Sequence, residues 1–403
     1  MKLFQKLLLA PAALGMFAPI AATASEANFG DVTSYSQNQA DVSIDTFKAP
    51  SSKNPLLAGG EGTVSSTDSD FDVDSFSSTT TASFSTTWAL GSVDGPAGTT
   101  QDKLGFAFEY GMELETSFTG NDSLVVEFEA GPSQIFPEMD FANTNSVGKG
   151  AELHIGSISY TTTLGDKSSF FFGSKSTPAS LLYNTACVYG AQTDTLSDCG
   201  VQLANIDEEF GTAFGASFDL SNGFTASLGF EGQQGSNGFG TKEGADAFGA
   251  QVAYNNDNYG VSVSWASIEK HAENTNVIDS SRAAITSIGV NAYFAPDLDN
   301  LPSISVGIEN QHDDDASLND SNDEKSHYFI GLQWDEIGNG TLGAAYGSKA
   351  PFLENTDALS MYEVFYSYNY ADGITITPLI YSKENSGTTV DEKGFILKTA
   401  FEF

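Results

Sequence analysis

Leu104-Gly-Phe-Ala-Phe-Glu-Tyr-Gly-Met-Glu-Leu-Glu-Thr-Ser-Phe118 alternates along its whole length. In an extended chain Leu104, Phe106, Phe108, Tyr110, Met112, Leu114, Thr116 and Phe118 point one way. Gly105, Ala107, Glu109, Gly111, Glu113, Glu115 and Ser117 point the other. A period of two with one greasy and one polar or small face predicts a strand between two different environments. The run exceeds the usual soluble strand of about five or six residues. It matches a strand tilted across a bilayer, about ten residues with some overhang.

Similar segments recur at 79–90, 123–131, 151–163, 168–174, 210–220, 224–231, 246–254 and 259–268. They continue at 284–294, 301–310, 326–334, 339–347, 359–370, 373–381 and 393–403. The count is about sixteen, an even number within the range of transmembrane barrels. Short turns such as Gly120-Asn121-Asp122, Ser221-Asn222-Gly223 and Ala371-Asp372-Gly373 alternate with longer loops near 91–103, 132–150, 175–209, 232–245, 269–283, 311–325, 348–358 and 382–392. Membrane barrels sort their connections this way, short on the periplasmic side and long outside, whereas a soluble sandwich has no reason to. The expected fold is therefore all-β: a transmembrane antiparallel barrel of about sixteen strands over 76–403.

The flanking chain agrees. Lys2 and Lys6 precede an apolar stretch from Leu7 to Ala22, and Ala22-Thr23-Ala24 offers small residues for cleavage. Residues 1–24 read as a secretory signal, interrupted by Pro11, Gly15 and Pro19 and so unlike a membrane anchor. No other uncharged apolar run reaches the roughly 18 residues of a membrane helix, so an exported chain spans a membrane only as a closed barrel. Residues 25–75 are polar, without periodicity, and read as a periplasmic extension.

The 403 residues include 40 Gly, 30 Phe and 15 Tyr, which suit strand bends and interfacial aromatic girdles. Asp and Glu number 53 against 16 Lys and Arg, a formal charge of −37, which excludes nucleic acid and anionic surfaces as partners. The same acidity also fits an adaptation to salty surroundings.

If the apolar face of each strand meets lipid, Glu109, Glu113 and Glu115 face the lumen, joined by Glu127 and Glu129 from the next strand. Five carboxylates on one wall would concentrate cations and repel anions, or simply solvate a wet interior. Lys398 on the last strand faces the same way and adds a positive charge. Cys187 and Cys199, the only two cysteines, read as a disulfide in an exported chain. Asp194, Asp198, Asp207, Glu208 and Glu209 share their loop. The acidic run Asp313-Asp314-Asp315 to Glu324 fits no EF-hand spacing and reads as a solvated loop. The four His do not converge on Cys or carboxylates at metal spacing, and no nucleophile elbow, P-loop or zinc helix is present. No enzyme, cofactor or metal is expected.

Five segments carry a family likeness: the signal region, Phe29-Gly-Asp-Val-Thr-Ser-Tyr35, Phe76-Ser-Ser-Thr-Thr-Thr81, Glu115-Thr-Ser-Phe-Thr-Gly-Asn-Asp-Ser-Leu124 and Glu129-Ala-Gly131. Together they resemble the cyanobacterial outer-membrane porins grouped with carbohydrate-selective and iron uptake porins. The strand ending on Phe403 is similarly the closing strand that barrel-assembly machinery reads. The S-layer-homology pattern that members usually carry after the signal is missing. The resemblance implies a passive outer-membrane porin in contact with lipid, admitting ions and small hydrophilic solutes. It implies that the third long loop, 175–209, folds inward as a constriction, and that the chain forms a homotrimer. Two alternatives stand beside it: a structural barrel with a plugged lumen, and a soluble secreted β-sandwich adhesin.

Overall fold

The computed structural model describes residues 79–95, 103–131, 135–139, 141, 152–206, 211–233, 240–241, 244–269, 284–298, 301–313, 324–349, 359–385 and 390–403. The segments read as signal and periplasmic extension, and most of the 311–325 run, lie outside them.

Sixteen strands form one sheet. They are β1 (Thr80–Asp94), β2 (Gly105–Thr116), β3 (Asp122–Ala130), β4 (His154–Thr163), β5 (Ser168–Lys175) and β6 (Gly211–Ser221). Next come β7 (Phe224–Gln233), β8 (Asp246–Asn255), β9 (Tyr259–Ile268), β10 (Ile285–Phe294) and β11 (Ser303–Asp313). The sheet ends with β12 (Glu324–Trp334), β13 (Gly340–Lys349), β14 (Leu359–Ala371), β15 (Ile374–Lys383) and β16 (Glu392–Glu402). Each strand pairs antiparallel with its sequence neighbours, and β1 pairs with β16, so the sheet closes into a barrel and leaves no free edge. The closure seam includes two backbone bonds between Phe84 and Phe403, 2.9 and 3.0 Å, and their rings stack at 5.7 Å. No helix among the described residues is long and apolar enough to cross a membrane.

The outward face is what a bilayer demands. Phe106, Leu228, Phe248, Val263, Ile288, Ile308, Ile330 and Phe395 all project from the wall, exposed. Aromatic pairs ring the wall at two heights. Phe224–Tyr254, Tyr254–Tyr259 and Phe170–Phe218 lie toward the short-turn rim, at 4.8, 5.7 and 6.1 Å between ring centres. Phe248–Trp265, Phe214–Phe230 and Tyr328–Tyr346 lie toward the long-loop rim, at 5.3, 5.5 and 5.7 Å. Tyr259 and Trp265 are six residues apart on β9, so the two levels stand about 20 Å apart along a strand. That is the girdle pattern of a membrane barrel.

Turn chemistry sets the register at the short-turn rim. Ser221 pairs with Phe224, leaving Asn222 and Gly223 as a two-residue turn with φ of 56° and 84°. Both central residues with positive φ match the type I′ hairpin, which follows the strand twist. The β2–β3 turn is held differently. One oxygen of Asp122 accepts the Ser117 and Thr119 hydroxyls and the Phe118 and Thr119 amides at 2.8–3.0 Å. Its other oxygen accepts the Tyr160 hydroxyl at 2.8 Å.

Candidate functional site

The lumen is furnished by the third long loop. After β5 the chain turns inward and follows the inner wall, in two limbs. The outgoing limb is nearer the short-turn rim. Ser227 on β7 donates to the Leu182 carbonyl, Ser262 on β9 accepts the Ala186 amide, and Ser305 on β11 accepts the Val188 amide, all at 3.0 Å. Gln333 on β12 then accepts the Gly190 amide at 2.9 Å. At the tip, Glu363 on β14 accepts the Tyr189 hydroxyl at 2.9 Å, the Thr193 hydroxyl at 2.7 Å and the Gln192 amide at 3.0 Å. Burial and the neighbouring Glu363 push the Tyr189 hydroxyl far above its ordinary range, so it stays a donor.

The return limb runs back one rung closer to the long-loop rim. Glu309 on β11 accepts the Ala204 amide at 2.6 Å. Ser264 on β9 donates to the Asn205 side chain at 2.6 Å, and Asn291 on β10 donates to the Cys199 carbonyl at 3.0 Å. The Cys187–Cys199 disulfide clips the limbs together. Short 3₁₀ turns at Asp194–Leu196 and Leu203–Asn205 satisfy part of the backbone locally.

The limbs lie so close to the wall that inward side chains are excluded beneath them. A Cβ at Gly307 would stand 1.8 Å from the Cys199 carbonyl oxygen, and one at Gly289 2.1 Å from Val201 Cγ1. At Gly249 and Gly229 it would meet Ile206 at 2.7 Å and the Ala179 carbonyl at 2.5 Å. Inward glycines on β7, β8, β10 and β11 thus form a track under the loop. The contact is apolar too: Leu203 and Ile206 bury against Ala247, Ala266 and Ile268, and Leu196 and Tyr189 against Phe329 and Phe365.

The second long loop joins this layer. Its Glu138 is 2 % exposed, pairs with Lys383 on β15 at 2.5 Å and accepts the Thr195 amide at 3.0 Å. Phe136 and Met139 pack into the same cluster. Glu138, Glu309, Glu363 and the glycine track escaped the sequence reading. A column of inward-phase Gly on successive strands is the signal that could have shown the track.

The acidic stripe occupies the arc of β2 and β3. Glu113 stands directly opposite Glu127 in the strand register, and Glu129 opposite Gly111. Glu115 is exposed and accepts Ser123 Oγ at 2.7 Å, whereas Glu109 is buried. Glu127 accepts Ser157 Oγ at 2.5 Å, and Glu129 pairs with His154 at 3.2 Å. A register shift opposite Val126–Phe128 puts Gly156 beneath Glu129, where a Cβ would lie 2.8 Å from the carboxyl carbon.

The other sequence candidates scatter. Lys398 is 6 % exposed and donates to Gln192 at the loop tip, with Glu363 and Glu109 as its charged neighbours. Asp198 turns one carboxylate oxygen out of solvent, into a small cavity under the return limb. Asp194 opens the 3₁₀ turn after the tip. Asp207, Glu208 and Glu209 lie outside the described residues. Among the described residues no group of three His, Cys, Asp or Glu could hold a metal ion.

The barrel superposes on solved bacterial porins and on an outer-membrane protein of Vibrio cholerae. An anion-selective porin from Comamonas acidovorans superposes with a TM-score of 0.56 at 12 % identity, over 80 % of this chain and 99 % of its own. Pseudomonas putida OprB gives 0.55 at 11 % identity, over 81 % and 94 %. The fold is that of the bacterial porins. Vibrio cholerae OmpT lacking its loop L8 gives 0.52 at 10 % identity, over 81 % and 100 %. No family model matches the sequence, and no curated protein does. At such identities the porin likeness is one of architecture: sixteen antiparallel strands closed into a barrel.

Proposed function

We propose that this chain is a passive outer-membrane porin through which ions and small hydrophilic solutes diffuse. The observation that carries the reading is the third long loop, bonded along the inner wall at the height of the barrel's middle. A loop placed there reduces the bore and makes a constriction whose diameter and field select what passes. The loop tracks the wall from β7 to β14, and the carboxylates of β2 and β3 stand on a different arc. Solute would then pass between the loop and an acidic wall. Two inward lysines on the other arcs are covered, Lys398 by Gln192 and Lys383 by Glu138. Net selection for cations follows, opposite to the Comamonas porin that is described as anion-selective. The signal-like start and the closing strand fit export and insertion by barrel-assembly machinery. Sequence resemblance to the cyanobacterial carbohydrate-selective porins makes sugars candidate solutes and a homotrimer the candidate assembly.

Planar-bilayer recording of the purified, folded barrel tests this. Stepwise conductance and a reversal potential of cationic sign in a salt gradient are expected. A folded barrel that carries no current would establish the plugged structural alternative, and a chloride-favouring potential would sink the selectivity.

A further inference from the structure

A small cavity lies between the return limb and the wall, about 10 Å³ in volume and lined by Thr195, Asp198, Gln202, Glu309, His327 and Ser348 among others. That is about the room one water molecule needs. His327, on β12, is the odd member. It is 2 % exposed, and neither Nδ1 nor Nε2 has a hydrogen-bond partner. Thr195 Oγ1, on the loop side, is also buried without a partner. Nearly all buried polar groups in proteins are paired, so an imidazole with no protein partner beside a water-sized cavity leaves its protonation to that cavity.

Glu309 stands directly opposite His327 in the β11–β12 register, yet its oxygens are already committed. They accept the Ala204 amide at 2.6 Å, Ser287 Oγ at 2.8 Å, Gln311 Nε2 at 3.2 Å and the Gln202 amide at 3.4 Å. Two of those donors are the backbone of the return limb. The same glutamate that faces His327 therefore holds the loop down.

We propose that His327 is an acid-triggered latch: a proton taken up in this cavity releases the return limb, 196–206, from the wall. A neutral imidazole can remain in a cavity with a single water. An imidazolium has two N–H donors and a charge, which need an acceptor or more water than this closed cavity holds. Two routes satisfy it. Glu309 can turn toward it, abandoning the Ala204 and Gln202 amides, or water can enter, which requires the limb to lift. Both loosen the same segment. The charged groups around the cavity are Glu309 on β11, Lys325 on β12 and Asp198 on the limb, and β13 contributes the neutral Ser348. Lys325 adds to the repulsion. Asp198 is the one group that could instead draw the limb in, and the experiment reads that as the opposite sign.

Hydrogen exchange on the folded barrel in detergent micelles, corrected for the intrinsic rate at each pH, reads the limb directly. Between pH 7.5 and pH 4.5, amides of 199–206 should lose protection at least about tenfold relative to those of 182–190, the equivalent of one unit of pKa linkage. His327→Gln should abolish that difference, and Glu309→Gln should keep it from a lower starting protection. The wild type alone can overturn the latch: no loosening, equal loosening of both limbs, or tightening of 199–206 each does so. An unchanged response in His327→Gln does so too. The measurement follows the loop and not the current, so a barrel that failed to conduct would end the porin reading and leave this one standing.

Discussion

The Tyr189 hydroxyl donates to Glu363 Oε1 at 2.9 Å, tying the tip of the third long loop to the middle of β14 across 174 residues of sequence. Glu363 is fully buried and also takes the Thr193 hydroxyl and the Gln192 amide. From the far side, Lys398 holds the Gln192 side chain. The tip is thus fixed between β14 and β16 by two side chains of opposite charge, neither of which needs to touch a passing solute.

Glu363→Ala leaves three donors without this acceptor, two of them buried, a loss on the order of 3 kcal/mol for the loop's attachment. The barrel ladder is untouched, so the protein should still migrate as a folded barrel before boiling. Single-channel conductance should rise, and larger polyethylene glycols should enter the pore. Cation-to-anion permeability should change little, because Glu363 is sealed from the lumen. Unchanged conductance would show that the tip does not set the bore.

The glycine track gives an independent handle. Gly307→Val places branched carbons where the Cys199 carbonyl now lies, since even a Cβ would sit 1.8 Å from it. Backbone cannot yield as a side-chain end can, so the return limb must lift. The expected outcome is raised conductance with faster exchange at 199–206, while 182–190 stays protected. If exchange there is unchanged, the close approach at Gly307 is not what positions the limb.

The barrel was legible because every strand faces lipid on one side, and that pressure writes a period of two. The 259–268 segment matches β9 at both ends, and the last strand closes against β1 where Phe84 meets Phe403. The site was less legible. Glu309 and Glu363 are inward residues like Glu113, and alternation marks all three as lumen-facing. Only the loop's path separates an anchor buried beneath it from a carboxylate left in water, and that path depends on contacts between residues more than a hundred positions apart. Lys398 shows the same gap: its inward phase is readable, its cover by Gln192 is not.

The disulfide should matter to the loop and not to the barrel. Cys187 and Cys199 are separated by 12 positions and join the outgoing limb to the return limb. Closing a loop of this size stabilises by about 3 kcal/mol by removing chain entropy from the unfolded state. Reduction, or the Cys187→Ser/Cys199→Ser double substitution, should leave heat-modifiable mobility intact and increase open-channel current noise. A barrel that loses its folded mobility on reduction would mean that the disulfide holds the wall as well.

Selectivity should reside in the pair Glu113 and Glu127. They face each other across β2 and β3, so both act at one height of the lumen. Glu115 is exposed near the short-turn rim and Glu129 is already paired with His154, so each contributes less to a concentrated field. Glu113→Gln/Glu127→Gln should therefore move the reversal potential in a potassium chloride gradient toward zero, with conductance in concentrated salt nearly unchanged. Screening sharpens the comparison: the Debye length is about 10 Å at 0.1 M and about 3 Å at 1 M, so the difference from wild type should be largest in dilute salt and fade in concentrated salt. If the double variant keeps the wild-type potential at low salt, the stripe merely hydrates the wall, and the charge that selects lies elsewhere in the lumen.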